Sequence, residues 1–377
     1  MILTTCAACA APLAHDAPRC VRCHTRYCNA TCQHDHWRRG HKQMCKKIHR
    51  GGNAEQYNAD KKYKEAVAVA VEACADDTKG QTCFICTQAL HWKTKEGLVR
   101  GCACRGTAGF AHVSCLAEQA KILVAEVEEN NLGNDAFNAR WRRWASCSLC
   151  EQEYHGVVRC ALGWACWKTY VGRPETDAPR QIAMNQLGNG LQLANYNEDA
   201  LSVQEAELAM KRRLGASAGH VLAVQGNIAN TYQKIGRLEQ ALQMRQDVYS
   251  GTVMVRGREH IDSLAAANNN ASTLNCLRRY GEAKTLLRDL IPVTQRVLGE
   301  GHLITLKMRW LYAMALHHAD DAATLDDLRE AVTTLEDSER IARRVFGGAH
   351  PTTDCIELEL RDARAALRAR EASPGGQ

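Results

Sequence analysis

The chain has 377 residues, enough for two or three domains that each bury a core, and 45% of them are hydrophobic. Its formal net charge of +6 counts every cysteine as neutral; with most cysteines present as metal-bound thiolates that excess vanishes, so global charge gives no ground for a polyanion partner, and nucleic acid is not expected. Fifteen of the 19 cysteines precede Cys160, in close C-x-x-C pairs interleaved with histidine, which is zinc-ligand spacing and unlike the framework of a disulfide-rich secreted domain.

The opening MILTTCAACAAPLA is small and apolar but has no basic leader, and its run is broken by Cys6 and Cys9. It reads as part of a ligand pattern and not as a signal peptide. No stretch approaches the roughly 18 apolar residues of a membrane span. A reducing compartment, cytoplasm or nucleus, is expected, with no membrane partner.

Residues 1–50 carry Cys6-x2-Cys9-x10-Cys20-x2-Cys23-x4-Cys28-x3-Cys32-x8-His41-x3-Cys45, eight ligands for two ions. So short a segment has too little apolar surface to fold alone, and metal must supply folding energy. The stretch RYCNATCQHDHWRRGHKQMC, with Tyr27, Gln33 and Trp37 between the ligands, resembles the MYND zinc finger. The resemblance implies interleaved sites: Cys6, Cys9, Cys28 and Cys32 on one ion, Cys20, Cys23, His41 and Cys45 on the other. It also implies a groove at Gln33 and Trp37 for proline-rich peptides; packing of Trp37 over the zinc core is the plainer alternative. The Cys32–His41 interval is one residue longer than usual, attributed to Gly40. His15, His24, His34 and His36 fall outside the spacing and read as surface or supporting groups. The basic cluster Arg38, Arg39, Lys42, Lys46 and Lys47 reads as a solvated face. MYND fingers also stand beside SET methyltransferase domains, but the segment after Cys45 offers only a helix over about 55–75, a helical linker within 51–79.

Residues 80–158 hold a second set of eight ligands: Cys83-x2-Cys86-x15-Cys102-x-Cys104-x7-His112-x2-Cys115-x31-Cys147-x2-Cys150. The single-residue Cys102-x-Cys104 spacing and the string CACRGTAGFAHVSCL resemble the RING-CH variant of the RING finger, found in a class of ubiquitin ligases, and argue against a PHD finger. The resemblance implies Cys83, Cys86, His112 and Cys115 on one ion and Cys102, Cys104, Cys147 and Cys150 on the other, hence four Zn2+ per chain. A RING performs no covalent chemistry; it orients the thioester of a ubiquitin-conjugating enzyme, which is catalysis by positioning. The docking residues implied are Ile85 and Leu149, with Trp144 close by. Two features depart from the pattern: a long, helical Cys115–Cys147 interval, and Glu151 where active ligases place a basic residue. His155, Cys160 and Cys166 match no ligand spacing. With Cys74, Cys276 and Cys355, those two cysteines are expected to be buried free thiols.

After a connector over 159–178, residues 179–370 repeat. Gly188, Ala229, Ala271 and Ala313 mark one series, and Ala200, Ala241, Ala283 and Ala331 a second; the last pair is spread by an insertion in HHADDAATLDD. Two small residues per unit, each followed by apolar positions at helical spacing, describe helix–turn–helix repeats that bury their faces only by stacking. NIANTYQKIGRLEQAL resembles a tetratricopeptide repeat, and the 42-residue period with His220, His260, His302 and His350 resembles the kinesin-light-chain type. Four repeats and a capping helix over about 352–370 are expected, then a disordered tail over 371–377. The resemblance implies a concave face binding peptide segments through Asn189, Asn227, Asn230 and Asn269, since an amide both donates to and accepts from a peptide backbone. The four histidines read as turn and cap residues.

The fold expected is therefore mainly α: two small zinc-stabilised modules, then a tetratricopeptide-repeat solenoid. The function expected is that of a RING-CH-type ubiquitin ligase whose repeats and MYND finger recruit partners. The alternative is a non-catalytic zinc-finger and repeat scaffold.

Overall fold

The structure is a computed structural model that describes residues 5–11, 13–14, 16–318, 323–348 and 350–372. His15, the centre of the insertion at 319–322 and the tail from 373 onward lie outside the described residues. The protein is mainly helical; the only β pairing among the described residues is three isolated bridges, Arg19 with Arg26, Val99 with Ala111 and Ser146 with Glu153. The chain forms two compact units, Met1–Gly215 and Ala216–Gln377.

In the first unit the N-terminal turns lead to α1 (Ala30–His36), capped by the Asn29 side chain, which accepts from the Cys32 amide. A wide π-type turn, Trp37–His41, follows, kinked where Gly40 takes φ +117°, and then α2 (Lys42–Arg50). The extra residue between Cys32 and His41 is thus absorbed locally, as one inserted residue in a helix is. The Arg38, Arg39, Lys42, Lys46 and Lys47 cluster is exposed throughout.

The helix α3 (Ala54–Ala73) is more than a linker. Ala59, Tyr63, Val67 and Ala70 fall on one face and join the main core of the unit. The Gln56 amide donates to the Lys168 carbonyl, and Lys168 pairs with Asp60, which fixes α3 against α6 (Gly156–Tyr170). Two further helices, α4 (Val113–Asn130) and α5 (Gly133–Trp141), fill the long Cys115–Cys147 interval.

The segment expected as a connector holds the most buried helix of the unit. In α6 every residue from Val158 to Trp167 is buried, the mark of a core helix. Its partner α7 (Ala178–Leu193) approaches closely because both contribute glycine. A Cβ on Gly190 would lie 2.9 Å from the Arg159 carbonyl oxygen, and one on Gly163 3.1 Å from that of Gln186. The pair α7 and α8 (Asn197–Arg213) therefore shares a core with the cysteine-rich region, through Ala183, Leu187, Ala200 and Met210. The repeats expected over 179–370 divide accordingly: the first helical pair belongs to the first unit.

The second unit comprises α9 (Ala218–Lys234), α10 (Leu238–Arg256), α11 (Ile261–Cys276), α12 (Tyr280–Leu298), α13 (Leu303–His317), α14 (Leu325–Phe346) and α15 (Pro351–Ala372). The small residues Ala229, Ala241, Ala271, Ala283, Ala313 and Ala331 are all fully buried where helices cross. One joint recurs three times. Gly257, Gly299 and Gly347 close a helix with φ near +90°, a region open to glycine. Three residues on, His260, His302 and His350 accept through Nδ1 from the backbone amide two residues later. Ser263, Thr305 and Thr353 donate back to the three glycine carbonyls. His220 differs: it lies inside α9 and meets the Ser217 hydroxyl, because two more residues separate it from its glycine, Gly215.

Candidate metal centres

Four turns of identical construction carry the first cysteine of each adjacent pair. At Cys6, Cys20, Cys83 and Cys147 the amide donates to the carbonyl five residues on, and the residue four on donates back to the cysteine carbonyl. That fourth residue, Ala10, His24, Thr87 or Glu151, is left-handed in every case. In three of them the amide two residues on, Ala8, Ile85 or Leu149, points at the cysteine sulfur at 3.4 Å. Such N–H groups stabilise a thiolate. Each turn thus presents an oriented sulfur, and in those three an N–H group also prepares it for a cation.

Each turn meets residues distant in sequence. Ligand atoms lie within 4.8 Å of one another in four quartets: Cys6, Cys9, Cys28 and Cys32; Cys20, Cys23, His41 and Cys45; Cys83, Cys86, His112 and Cys115; Cys102, Cys104, Cys147 and Cys150. A tetrahedral ion with Zn–S near 2.3 Å and Zn–N near 2.0–2.1 Å sets S···S edges of about 3.8 Å and S···N edges of about 3.5 Å. The distances here are 3.6 Å for Cys9–Cys28, 3.8 Å for Cys20–Cys45 and 3.8 Å for Cys104–Cys147. Imidazole nitrogens stand at 3.3 Å for Cys23–His41 and at 3.3 and 3.6 Å for His112 to Cys86 and Cys115. A disulfide needs sulfurs near 2.0 Å, so donor type and spacing fit zinc and not cross-links.

The supporting groups differ between modules. His112 turns Nε2 to the Ala89 carbonyl at 3.3 Å, which leaves Nδ1 for the cluster. His41 faces its cluster with Nε2. Its ring is stacked by His36 at 4.7 Å and met edge-on by Trp37 at 5.9 Å. Tyr27, fully buried, bonds His36 through its hydroxyl. In the second module Gly109 is required: at φ +83° its Cβ would lie 2.6 Å from that of Cys104.

A fifth turn of the same kind was not visible in the ligand spacing. His91 occupies the cysteine position, with its amide bonded to the Glu96 carbonyl and Lys95 left-handed. Its Nδ1 accepts from Thr94, and its ring packs edge-on against His112 at 5.3 Å. Glu96 in turn caps α4 by accepting from the Ser114 amide and hydroxyl, and Tyr63 bonds the same hydroxyl. This network buttresses His112. Its members are dispersed from Tyr63 to Ser114, so no local pattern announces it.

The other expected residues fall as follows. Ile85 and Leu149 project from two of the turns, 37% and 51% exposed. Trp144 does not join them: it is 0% exposed and packs against Trp141 and Tyr170. A docking role for Trp144 is therefore corrected to a core role, because α5 and the short helical turn after it fold the indole inward. Gln33 is half-buried and Trp37 39% exposed. Asn189, in the first unit, donates to Asn185, whereas Asn227, Asn230 and Asn269 lie in the second. The Asn230 amide oxygen is held by Arg245, which also bonds Gln233 and the Asn269 carbonyl. His155 bonds Gly101 through its backbone and caps α6 without joining Cys160 or Cys166. Those two thiols are buried, and burial pushes Cys160 up to about 12. Cys74 is buried as well, but Cys276 of α11 and Cys355 of α15 are exposed.

Comparison with known proteins agrees with part of this picture. Residues 83–132 match the RING-variant domain family, and residues 221–262 and 263–303 each match a tetratricopeptide repeat family. No curated protein matches the sequence. Among solved structures, the nearly identical TPR-like repeats of a putative kinesin light chain from Podosopora anserina align at 19% identity, covering 62% of this chain and 98% of that one, with a TM-score of 0.41. A singly substituted form of those repeats aligns at 18% identity over 62% and 97%, with a TM-score of 0.42. BtubC (BKLC) from P. vanneervenii aligns at 13% identity over 70% and 94%, with a TM-score of 0.41. The chain thus combines a RING-variant domain with tetratricopeptide repeats, the make-up of a zinc-binding protein-interaction protein. No described helix is long and apolar enough to cross a membrane.

Proposed function

We propose that the protein is a RING-CH-type ubiquitin ligase that binds four Zn2+, with its repeats and a MYND-like N-terminal finger recruiting partners. The observation that carries the reading is the pair Ile85 and Leu149. Both are exposed apolar residues at the tips of turns whose cysteines belong to different quartets of one module. An apolar side chain held out by a rigid turn is what positioning catalysis needs, since the conjugating enzyme must be gripped in one orientation. Glu151, the acidic departure, is paired with Arg143 at 2.8 Å, and Arg143 also donates to the Cys147 carbonyl. A cation therefore stands at the end of the last zinc turn although the residue there is acidic. Glu151→Arg would set two cations side by side, so its effect on transfer reads how that charge is used.

The test is ubiquitin transfer by the zinc-loaded chain with a panel of conjugating enzymes. Ile85→Ala is expected to lower transfer at least tenfold at unchanged zinc content, about the loss that follows when a central apolar anchor is truncated. A parent inert with every enzyme, and inert again as Glu151→Arg, leaves the non-catalytic scaffold as the reading.

For the N-terminal finger, the support is Trp37: its edge rests on His41 while more than a third of the residue remains open beside Gln33. Trp37→Ala is expected to weaken binding of a proline-rich peptide at constant zinc content. Equal binding assigns Trp37 to the packing of His41. Peptide segments binding at Asn189, Asn227, Asn230 and Asn269 belong to the same proposal, with Asn230 the least available of the four.

A further inference from the structure

The second unit contains a donor cluster with no cysteine. At the end of α13, the His317 and His318 rings meet at a tilt of 36° with centroids 3.9 Å apart, and Glu359 of α15 faces both. Neighbouring helical residues ordinarily diverge by about 100°. Here the helix ends between them, with His318 as the closing residue, so both rings reach the same carboxylate.

We propose that His317, His318 and Glu359 form a further divalent-metal site, suited to Zn2+ or a similar cation, distinct from the cysteine quartets. Three observations carry it. First, the ligand atoms of the three residues lie within 4.8 Å of one another, with 3.2 Å from His317 Nε2 and 3.0 Å from His318 Nε2 to Glu359 Oε1. Metal–N and metal–O bonds of about 2.0–2.2 Å place donors of one ion about 2.9–3.4 Å apart. Second, the remaining polar atoms are held by the protein. His317 Nδ1 bonds the Ala313 carbonyl, and Glu359 Oε2 accepts from the Trp310 indole. Outer bonds of this kind fix the tautomer and aim the free atoms of metal ligands.

Third, His317 Nε2 has no hydrogen-bond partner, although its side chain is only 3% exposed. With the Nδ1 proton donated to Ala313, Nε2 carries a lone pair. That lone pair faces a carboxylate oxygen, and two acceptors at that distance repel unless a positive charge lies between them. A cation resolves the conflict. The His318 side chain is 42% exposed, which gives the ion an entry and room for water as a further ligand. The two-histidine, one-carboxylate set with an open position is borderline to hard, the choice of a zinc-like ion over calcium.

The test is a difference in metal count and so does not depend on how many ions the cysteine quartets hold. The full chain, Glu359→Gln and His318→Ala are dialysed against the same low free Zn2+ and analysed for bound zinc. Each variant is expected to bind one equivalent less than the parent at unchanged helical circular dichroism. Glu359→Gln keeps an acceptor for Trp310, and His318→Ala changes a partly exposed residue, so one of them retains the fold even if the other does not. Equal zinc in parent and folded variant overturns the site and leaves the cluster as a histidine pair packed on a carboxylate.

Discussion

In the N-terminal cysteine-rich segment the connected core is Cys6, Cys20, Cys23, Tyr27, Cys45, Ile48 and Ala54, and four of those seven residues are thiols. The largest core of the second unit, from Leu264 to Ala363, contains no cysteine; it is leucine, alanine, isoleucine, methionine and one tyrosine spread over five helices. The contrast teaches where each region finds its folding energy. A sulfur-rich core of this size cannot offset chain entropy by apolar burial, so it must depend on what the sulfurs bind. Stacked helices depend on neighbours, which are covalently guaranteed.

The sharpest way to break that comparison is to remove metal. Structural zinc contributes about 10–16 kcal/mol of apparent binding energy in small finger peptides. A strong chelator is therefore expected to abolish amide protection in residues 5–50 and 83–150 and to leave α11 to α15 protected, read by hydrogen exchange. Loss of protection in α11 to α15 at the same rate would mean that the second unit is not held by its apolar core.

The next effect separates two residues that look alike in sequence. Trp144 and Leu149 both stand near Cys147 and Cys150, yet Trp144 is fully buried and Leu149 half-exposed. Trp144→Ala removes a whole indole from the core and is expected to cost about 3–5 kcal/mol. Leu149→Ala is expected to fall within about 0.5 kcal/mol. Thermal unfolding of the zinc-loaded variants measures both.

A smaller effect concerns a buried acid in the first unit. Glu207 on α8 is pushed up to about 7, because burial penalises its charge more than the Asn185 and Lys211 interactions favour it. A carboxyl raised in the folded state is unpenalised below its unfolded value of 4.5. It costs stability progressively as pH rises from there to about 7, and fully above that. Glu207→Gln is expected to stabilise the first unit by about 2 kcal/mol at roughly pH 8 and by little at roughly pH 4, read from denaturation midpoints.

These contrasts also mark what the sequence could carry. The sixteen clustered donors were legible because metal ligation constrains spacing directly, as in Cys102-x-Cys104, and Gly40 announced the widened turn. The small-residue series was legible because close helix crossings tolerate only glycine or alanine. The role of α6 was not: a short run such as CALGWACW reads equally well as a connector, and only the close approach of the α6 and α7 backbones, at Gly163 against Gln186 and at Gly190 against Arg159, makes it central. Trp144 was misplaced for a related reason, since the indole's direction is decided by α5 and not by its distance from Cys147. The His317, His318 and Glu359 cluster joins two helices 41 residues apart between His318 and Glu359, beyond any local pattern.

The smallest expected effect concerns the thiols outside the quartets, where the two units differ again. In the first unit Cys74, Cys160 and Cys166 are buried; in the second, Cys276 and Cys355 are exposed. Burial raises the first-unit pair Cys160 and Cys166 and so keeps both protonated, and a protonated, enclosed thiol does not attack an alkylating reagent. Zinc would occupy the quartet sulfurs, leaving Cys276 and Cys355 as the two sites for a maleimide. Cys276 accepts from the Gln233 amide at 3.5 Å, a weak contact for a sulfur. Replacement of both cysteines by serine is expected to change stability by no more than about 0.5 kcal/mol. Mass spectrometry of the briefly treated, zinc-loaded chain should show two adducts, falling to none in the double serine variant. Adducts on Cys160 or Cys166 under the same conditions would mean that α6 opens without metal loss, and that the core of the first unit is weaker than its packing implies.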